Sequence, residues 1–557
     1  MLVTLVDLFS FLSVVLRAGT LVFQSALLGG VMFVLRTARY SPNAPADSIA
    51  QVQASSWKLL RWSAVGLAGV QLLYLYVDSA VLMASADLPF SGVVGANFFL
   101  SGAIVLVAAL FTAFAAGGSK RVARWALPVL VLVIMSASVM TNHAASRLEQ
   151  RPLLITLSSV HELAAGFWIG GLPFLVVGLF QAKDLDTRWY VAERFSRTAV
   201  WSVGALAASG LVMNILYIGS WGGILGTAYG IMVLAKATML GALLVLGGVN
   251  FWLLRNFPKD RVMPRLRPLI EAEVGIGITV ILAAASLTSQ PPAVDQVSDT
   301  VTLAQVWQRF KPEAPRLAYR FIPESDPQTG PQVGPQTSPQ TGPKFGEPIQ
   351  LSGPQIVNVD GIPLTPRLIN DSIESESNHH WMGLVVLAMG LLALLARTGK
   401  APWAEYWPLL LIGIAMFIIL FADTECWPVG WKSVGACFAD PEVFQHRLAA
   451  LVCVGFAVFE LRVRQQKREN DRWALVFPLM CALGGAVLLT HQHAITNVKE
   501  TSLVELSHVP MGVLAVFAGW ARWLELRLPK ENRAIPSWVW PTCFVLIGAA
   551  LMNYREM

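Results

Sequence analysis

The chain holds eight histidines, and their types of neighbour and their spacing are where its chemistry begins. Imidazole is the commonest protein metal ligand and titrates near neutrality, so histidine can bind a metal, hold a haem or carry a proton. His491 and His493 flank one glutamine in THQHA at 490–494, and His508 follows within the next apolar stretch. His143 and His161 echo part of that arrangement earlier in the chain, a His-Ala at a span end followed by a histidine in the next span. These five lead as metal-binding candidates. His379 and His380 rank behind them: adjacent helical residues point about 100° apart and cannot share a face. Met140, one turn before His143, is a further candidate, although methionine in an apolar helix usually packs. His446 reads as a cap or an interfacial hydrogen bonder.

The elements that must carry these side chains follow from composition. Of 557 residues, 55% are hydrophobic and 14% charged, with a mean hydropathy of +0.57. That is more apolar surface than one water-soluble core can use. Apolar runs of about 20 residues recur, the length of a membrane-crossing helix, whereas barrel strands would be shorter and alternating. The expectation is an all-α polytopic membrane protein of about fourteen transmembrane helices in an eight-plus-six arrangement. The spans fall near 5–35, 59–83, 92–116, 124–142, 153–181, 196–218, 228–254 and 270–289, then 381–397, 405–422, 446–464, 472–490, 502–524 and 537–553. The first run has no basic residue ahead of it and no small-residue cleavage site, so it reads as a retained span. This gives an N-terminal bundle over 1–289, a loop over 290–380 and a C-terminal bundle over 381–557.

Short connections rich in Lys and Arg mark one face as cytoplasmic. They include Arg36, Arg39, Lys58 and Arg61, then Lys120, Arg121 and Arg124, then Arg255, Lys259 and Arg261, and later RWLELRLPKENR before the last span. Both termini are then periplasmic, and all eight histidines fall on the outer side. The 290–380 loop contains PQTGPQVGPQTSPQTGP, which cannot bury a core and reads as extended or disordered. It carries neither histidine nor methionine before His379, which makes it a linker or docking segment. QVWQRF ahead of the repeat could form a short amphipathic turn.

The two leading histidine segments echo one another. MTNHAASRLEQRPLLITLSSVHELAAGFWIGG at 140–171 compares with LTHQHAITNVKETSLVELSHVPMGVLAVFAGW at 489–520, a weak internal repeat. HELAAGFWIGGLPFLVVGL, with RFSRTAVWSVGALAASGLVMNILYIGSWGGILGTAYGIMVLAKATMLGALL after it, resembles the copper-resistance protein D (CopD) family of bacterial inner-membrane proteins. The resemblance covers roughly 140–290, and HHWMGLV to RWLELRL resembles the extra membrane portion of longer members. It implies copper movement across the inner membrane, commonly inward, beside a periplasmic copper-binding partner of the CopC type. His143 and His161 match the family's histidines, and Phe195, Ser196 and Lys236 fall in its framework. No CopC-like β-domain is fused.

The donor set leaves alternatives open. Copper accepts imidazole as Cu(I) or Cu(II), and zinc accepts histidine with carboxylate. Paired histidines on neighbouring helices also hold haem b, so a membrane oxidoreductase using His143/His161 or His493/His508 as axial ligands is the alternative to a transporter. In the transport reading the outer imidazoles capture the ion and the bundle passes it inward, with protons moving the other way as histidines titrate. No Walker loop or CxxC element suggests an ATP-driven pump, and the partners expected are lipid and a copper carrier, not nucleic acid. Lys236, Glu271 and Glu273 are pathway candidates because charge within a span is costly, as is Arg17. Cys426 and Cys437 share one outer loop and could form a disulfide; Cys453, Cys481 and Cys543 read as packing residues.

Overall fold

The computed structural model describes residues 9–39, 45–318, 359–361, 364–439, 441–465, 472–490 and 497–556. Among these the chain is an all-α polytopic membrane protein, with an isolated bridge between Cys426 and Lys432 as its β-like feature. Twelve helices are long and apolar enough to cross a membrane. All eight spans expected in the first half are among them, as are four of the six in the second. The two others coincide with helices Pro441–Gln465 and Arg472–Leu488. The first of these has a short apolar run bracketed by Arg447 on one side and Glu460, Arg462 and Arg464 on the other; the second is short. Most of the 290–380 loop, with its Pro/Gln repeat, lies outside the described residues, as do His491 and His493.

The helices that position the sites are α1 (Phe9–Met32), α2 (Ala46–Ala86), α3 (Asn97–Gly117), α4 (Lys120–Val139) and α5 (Arg151–Ala165). A π-helical turn, Gly166–Gly170, joins α5 to α6 (Leu172–Gln181). Then come α7 (Leu185–Ile218), α8 (Ala228–Asn256), α9 (Lys259–Thr288) and the short α10 (Leu303–Phe310). The second half contributes α11 (Pro366–Arg397), α12 (Pro441–Gln465), α13 (Val498–Arg527) and α14 (Ala534–Met552). Side-chain caps start several of them: Asp184 Oδ1 accepts from the Thr187 N–H at 2.7 Å, and Asn497 Oδ1 accepts from Lys499 and Glu500, each worth about 1 kcal/mol. Phe114, Trp125 and Trp201 are 80–82% exposed, a pattern suited to lipid rather than water.

Small residues bring α1 and the π-turn into backbone contact. A Cβ on Gly170 would lie 1.8 Å from the Ser25 carbonyl oxygen, and one on Gly29 would lie 2.2 Å from the Gly171 nitrogen. Helices in lipid associate through such close approach. The crossing sets Gln24 of α1 against Glu162 of α5.

The two largest apolar cores among the described residues share α13. Val509, Val513, Val516 and Leu524 join the core built from α1 to α9. Ala518 and Ala521 join the core around Met389, Trp407, Phe477 and Trp540. The Trp520 indole lies on Gly275 of α9, where a Cβ would fall 1.6 Å from the ring. Glu271 of α9 completes this seam, accepting from Arg267 Nε at 2.8 Å, Trp523 Nε1 at 3.1 Å and Arg527 Nη2 at 3.3 Å.

Alternation of helix direction puts the six described histidines at one end of the bundle. At the other, basic end, Glu460 of α12 pairs with Arg464 and with Arg522, each at 2.9 Å. Glu525 pairs with Arg522 at 2.7 Å and with Arg397, and accepts from Trp540 Nε1 at 2.7 Å. This buried lock ties α11, α12, α13 and α14 together.

Candidate functional site

At the histidine end, α1 to α4 and the end of α9 enclose a cavity of about 570 Å³. Its wall includes Arg17, Gln24, Asp78, Met140, Asn142 and His143. His143 opens a four-residue helical turn whose cap is Asn142, with Asn142 Oδ1 accepting from the Ala144 N–H at 3.1 Å. Asn142 Nδ2 donates to Ser158 Oγ at 2.8 Å and to Glu162 Oε1 at 3.2 Å, while Gln24 Nε2 donates to Glu162 Oε2 at 3.3 Å. The carboxylate therefore sits behind the wall and holds two of its polar members in place.

Several polar atoms of the wall are buried without a hydrogen-bond partner among the described residues: His143 Nε2, Asp78 Oδ1, Gln24 Oε1 and Ser138 Oγ. Buried groups left this way cost about 1–3 kcal/mol each unless something meets them, and each of the four can present a lone pair to a cation. Burial depresses the His143 pKa, and the Arg17 charge adds to that; Asp295 and contacts to the backbone of Thr288 and Gln290 pull the other way without cancelling it. The ring is thus held as neutral imidazole, the form that ligates metals. Arg17 and Asp78 both line the cavity and lie close enough to interact electrostatically, so its wall is not a cluster of acids. Such a wall suits an ion that enters and leaves.

The other sequence candidates lie elsewhere. His161 turns toward α7, its Nδ1 3.2 Å from Ser209 Oγ and its ring over Gly210, so it and His143 have different neighbours. Lys236 of α8 acts electrostatically on that ring. Glu273 is buried and accepts from Asn250 Nδ2. His446 Nδ1 lies 2.9 Å from Asp423 Oδ1. Cys426 and Cys437 are paired in a disulfide. His379 and His508 lie close together beside Tyr554. His380, by contrast, is engaged through both ring nitrogens by backbone groups. Among the described residues no group of three or more His, Cys, Asp and Glu is placed to hold a metal ion. Spacing arguments passed over Gln24, Asp78 and Glu162; the available signal was two acids inside apolar spans.

Residues 189–287, which run from α7 through α8 to near the end of α9, match the family described as copper resistance protein D. This stretch is similar to the CopD family. A relative, copper transport protein CutJ of Bacillus subtilis (strain 168), is 32% identical over 171 residues, which is 30% of this chain and 31% of that protein. The matched stretch thus spans about a third of the relative's length. No solved structure matches. The matched stretch reaches the cavity through α9, which packs on α1 and whose Ala285 is part of the wall.

Proposed function

We propose that this protein moves copper ions across the bacterial inner membrane, from the periplasm at the histidine end to the cytoplasm at the basic end. The observation that carries the reading is the buried His143 Nε2, without a hydrogen-bond partner among the described residues, in the wall of a cavity in a chain with a stretch similar to the CopD family. The lysines and arginines of the opposite end support the orientation through the positive-inside rule, with both termini periplasmic. His143, Asp78, Gln24 and Met140 offer nitrogen, oxygen and sulfur donors to an entering ion. The opposing charges of Arg17 and Asp78 keep its residence short. A periplasmic copper carrier of the CopC type would deliver the ion to this end.

The test is copper accumulation in cells that differ in this protein alone. Deletion should lower cellular copper, and His143→Ala should slow accumulation roughly tenfold, the effect of losing about 1.4 kcal/mol of binding. Accumulation unchanged by deletion would sink the reading. A Soret band in the purified protein would move the histidines to haem binding instead.

A further inference from the structure

Two acids stand two residues apart on α9, and their surroundings divide them. Glu271 has the Arg267 and Arg527 guanidinium groups to balance its charge and the Trp523 indole as a further donor. Glu273 turns to another side of the helix, since residues two apart point about 200° round from each other, and it is 2% exposed. Its Oε1 accepts from Asn250 Nδ2 of α8, a neutral amide. Among the described residues no lysine, arginine or histidine bonds to it. The charges on the elements packed against α9 are engaged elsewhere. Arg17 of α1 acts on His143 and Lys236 of α8 on His161, while Arg255 of α8 lies over the Phe251 ring. Glu193 and Arg197 of α7 pair with each other on an exposed face, and Arg527 of α13 takes Glu271. The π-turn and α6 hold no ionisable group, and helix Val476–Leu488 holds only the Cys481 thiol.

Asn250 has the chemistry to meet Glu273 in either protonation state. An amide offers a donor at one end and an acceptor at the other. Here the donor end meets the carboxylate, and Oδ1 is buried without a hydrogen-bond partner among the described residues, on a side chain whose residue is 7% exposed. A half-turn of the amide exchanges the two ends, so that Oδ1 accepts from a protonated carboxyl. An ionised acid inside a span is costly without a counter-charge. An arginine in place of Asn250 would suit the ionised form alone. The position of Glu273 matters as well. It lies twelve residues along α9 from Ala285 in the cavity wall, about 18 Å. In the other direction Arg267 is six residues away, about 9 Å, and lines a pocket of about 190 Å³ with Arg188 and Met263 at the basic end. The acid also borders the π-turn: a Cβ on Gly247 would lie 3.8 Å from Glu273 Oε2 and 3.9 Å from Trp168 Cζ2. One turn above, Ile169 of the same π-turn fits onto Gly277.

We propose that Glu273 binds and releases one proton in each transport cycle, with the Asn250 amide turning over at each exchange. Uptake forms an O–H bond on a carboxylate oxygen with a proton given up by hydronium; release returns that proton to water, and no electron moves. The place in a cycle rests on the transport reading, whereas the proton site itself rests on the α8 and α9 contacts. The cavity donors His143, Asp78, Gln24 and Met140 are not the groups that hold Glu273. Ion and proton are therefore linked through α9 and the π-turn, which reach both places, rather than by competing for one ligand.

The experiment reconstitutes the full-length protein into liposomes loaded with a pH-sensitive dye and adds copper outside. Wild type should move protons in proportion to copper. Glu273→Gln, the same shape without the exchangeable proton, should lose that proton movement, and Glu273→Asp should keep it. Infrared difference spectra between acid and alkaline pH should show the carbonyl band of a protonated carboxyl that is missing from Glu273→Gln. Asn250→Leu should shift that band, a readout that leaves the acid in place and stands even if the glutamine variant fails to fold. A wild-type ratio of protons to copper in Glu273→Gln, or the same band in wild type and both variants, would overturn the proposal. A wild type that takes up no copper yet shows the Glu273 band would keep the proton site and discard transport; copper uptake with no band assigned to Glu273 would do the reverse.

Discussion

At the scale of a residue, His143 shows how surroundings decide what an imidazole can do. Its folded pKa lies below the ordinary value of 6.5 because burial, and then the Arg17 charge, disfavour the imidazolium. Protonation therefore favours the unfolded chain: stability linked to this ring is complete above 6.5 and drains away as pH falls toward the folded value. Thermal unfolding followed from pH 7.5 to 5 should show a steeper acid loss for wild type than for His143→Gln. Identical pH profiles would mean that the ring does not feel this environment. The histidines themselves were readable from the chain, since their type announces chemistry. Their partners were not: Asp78, Gln24 and Glu162 reach the site through helix crossings, and His379 finds His508 through a fold that joins distant segments. Lys236 and Glu273, chosen as charges in spans, lie in the environments of His161 and Asn250.

At the scale of the element, the crossing of α1 over the π-turn is the joint that sets the cavity wall. Gly170→Val should break it, because the obstacle is the Ser25 backbone and not a side chain that can swing away. Overpacking commonly costs 1–3 kcal/mol, and here a cost at or above the top of that range is expected, read as a lower melting temperature together with weakened copper accumulation. Gly204→Ala, with open space around its Cβ position, is the matched control and should change neither. The spans were legible because transfer from water to lipid sums over about 20 residues and survives local irregularity. The π-turn was not, since nothing in GFWIG distinguishes i→i+5 from i→i+4 bonding. The sequence echo has a structural counterpart in register: His161 lies ten residues beyond Arg151 at the start of α5, and His508 ten beyond Val498 at the start of α13.

At the scale of the whole molecule, the buried lock at the basic end should be the costliest place to remove one charge. Glu460→Ala would take from Arg464 its carboxylate and leave Arg522 to Glu525, a change worth about 3–5 kcal/mol when a buried pair is broken. Melting should fall sharply in that variant, and a variant as stable as wild type would show the lock to be solvated. The division of the chain into an N-terminal and a C-terminal bundle follows hydropathy, yet α13 gives apolar side chains to both cores, a sharing that hydropathy does not encode. That sharing bears on how the protein is made. The first eight spans have all been synthesised by residue 295, but their core lacks Val509, Val513 and Val516 until about 200 further residues have followed. At roughly 5–20 residues per second, the newborn first half waits on the order of 10–40 s in the bilayer with that groove unfilled, and a chain cut short before α13 would leave the groove open for good.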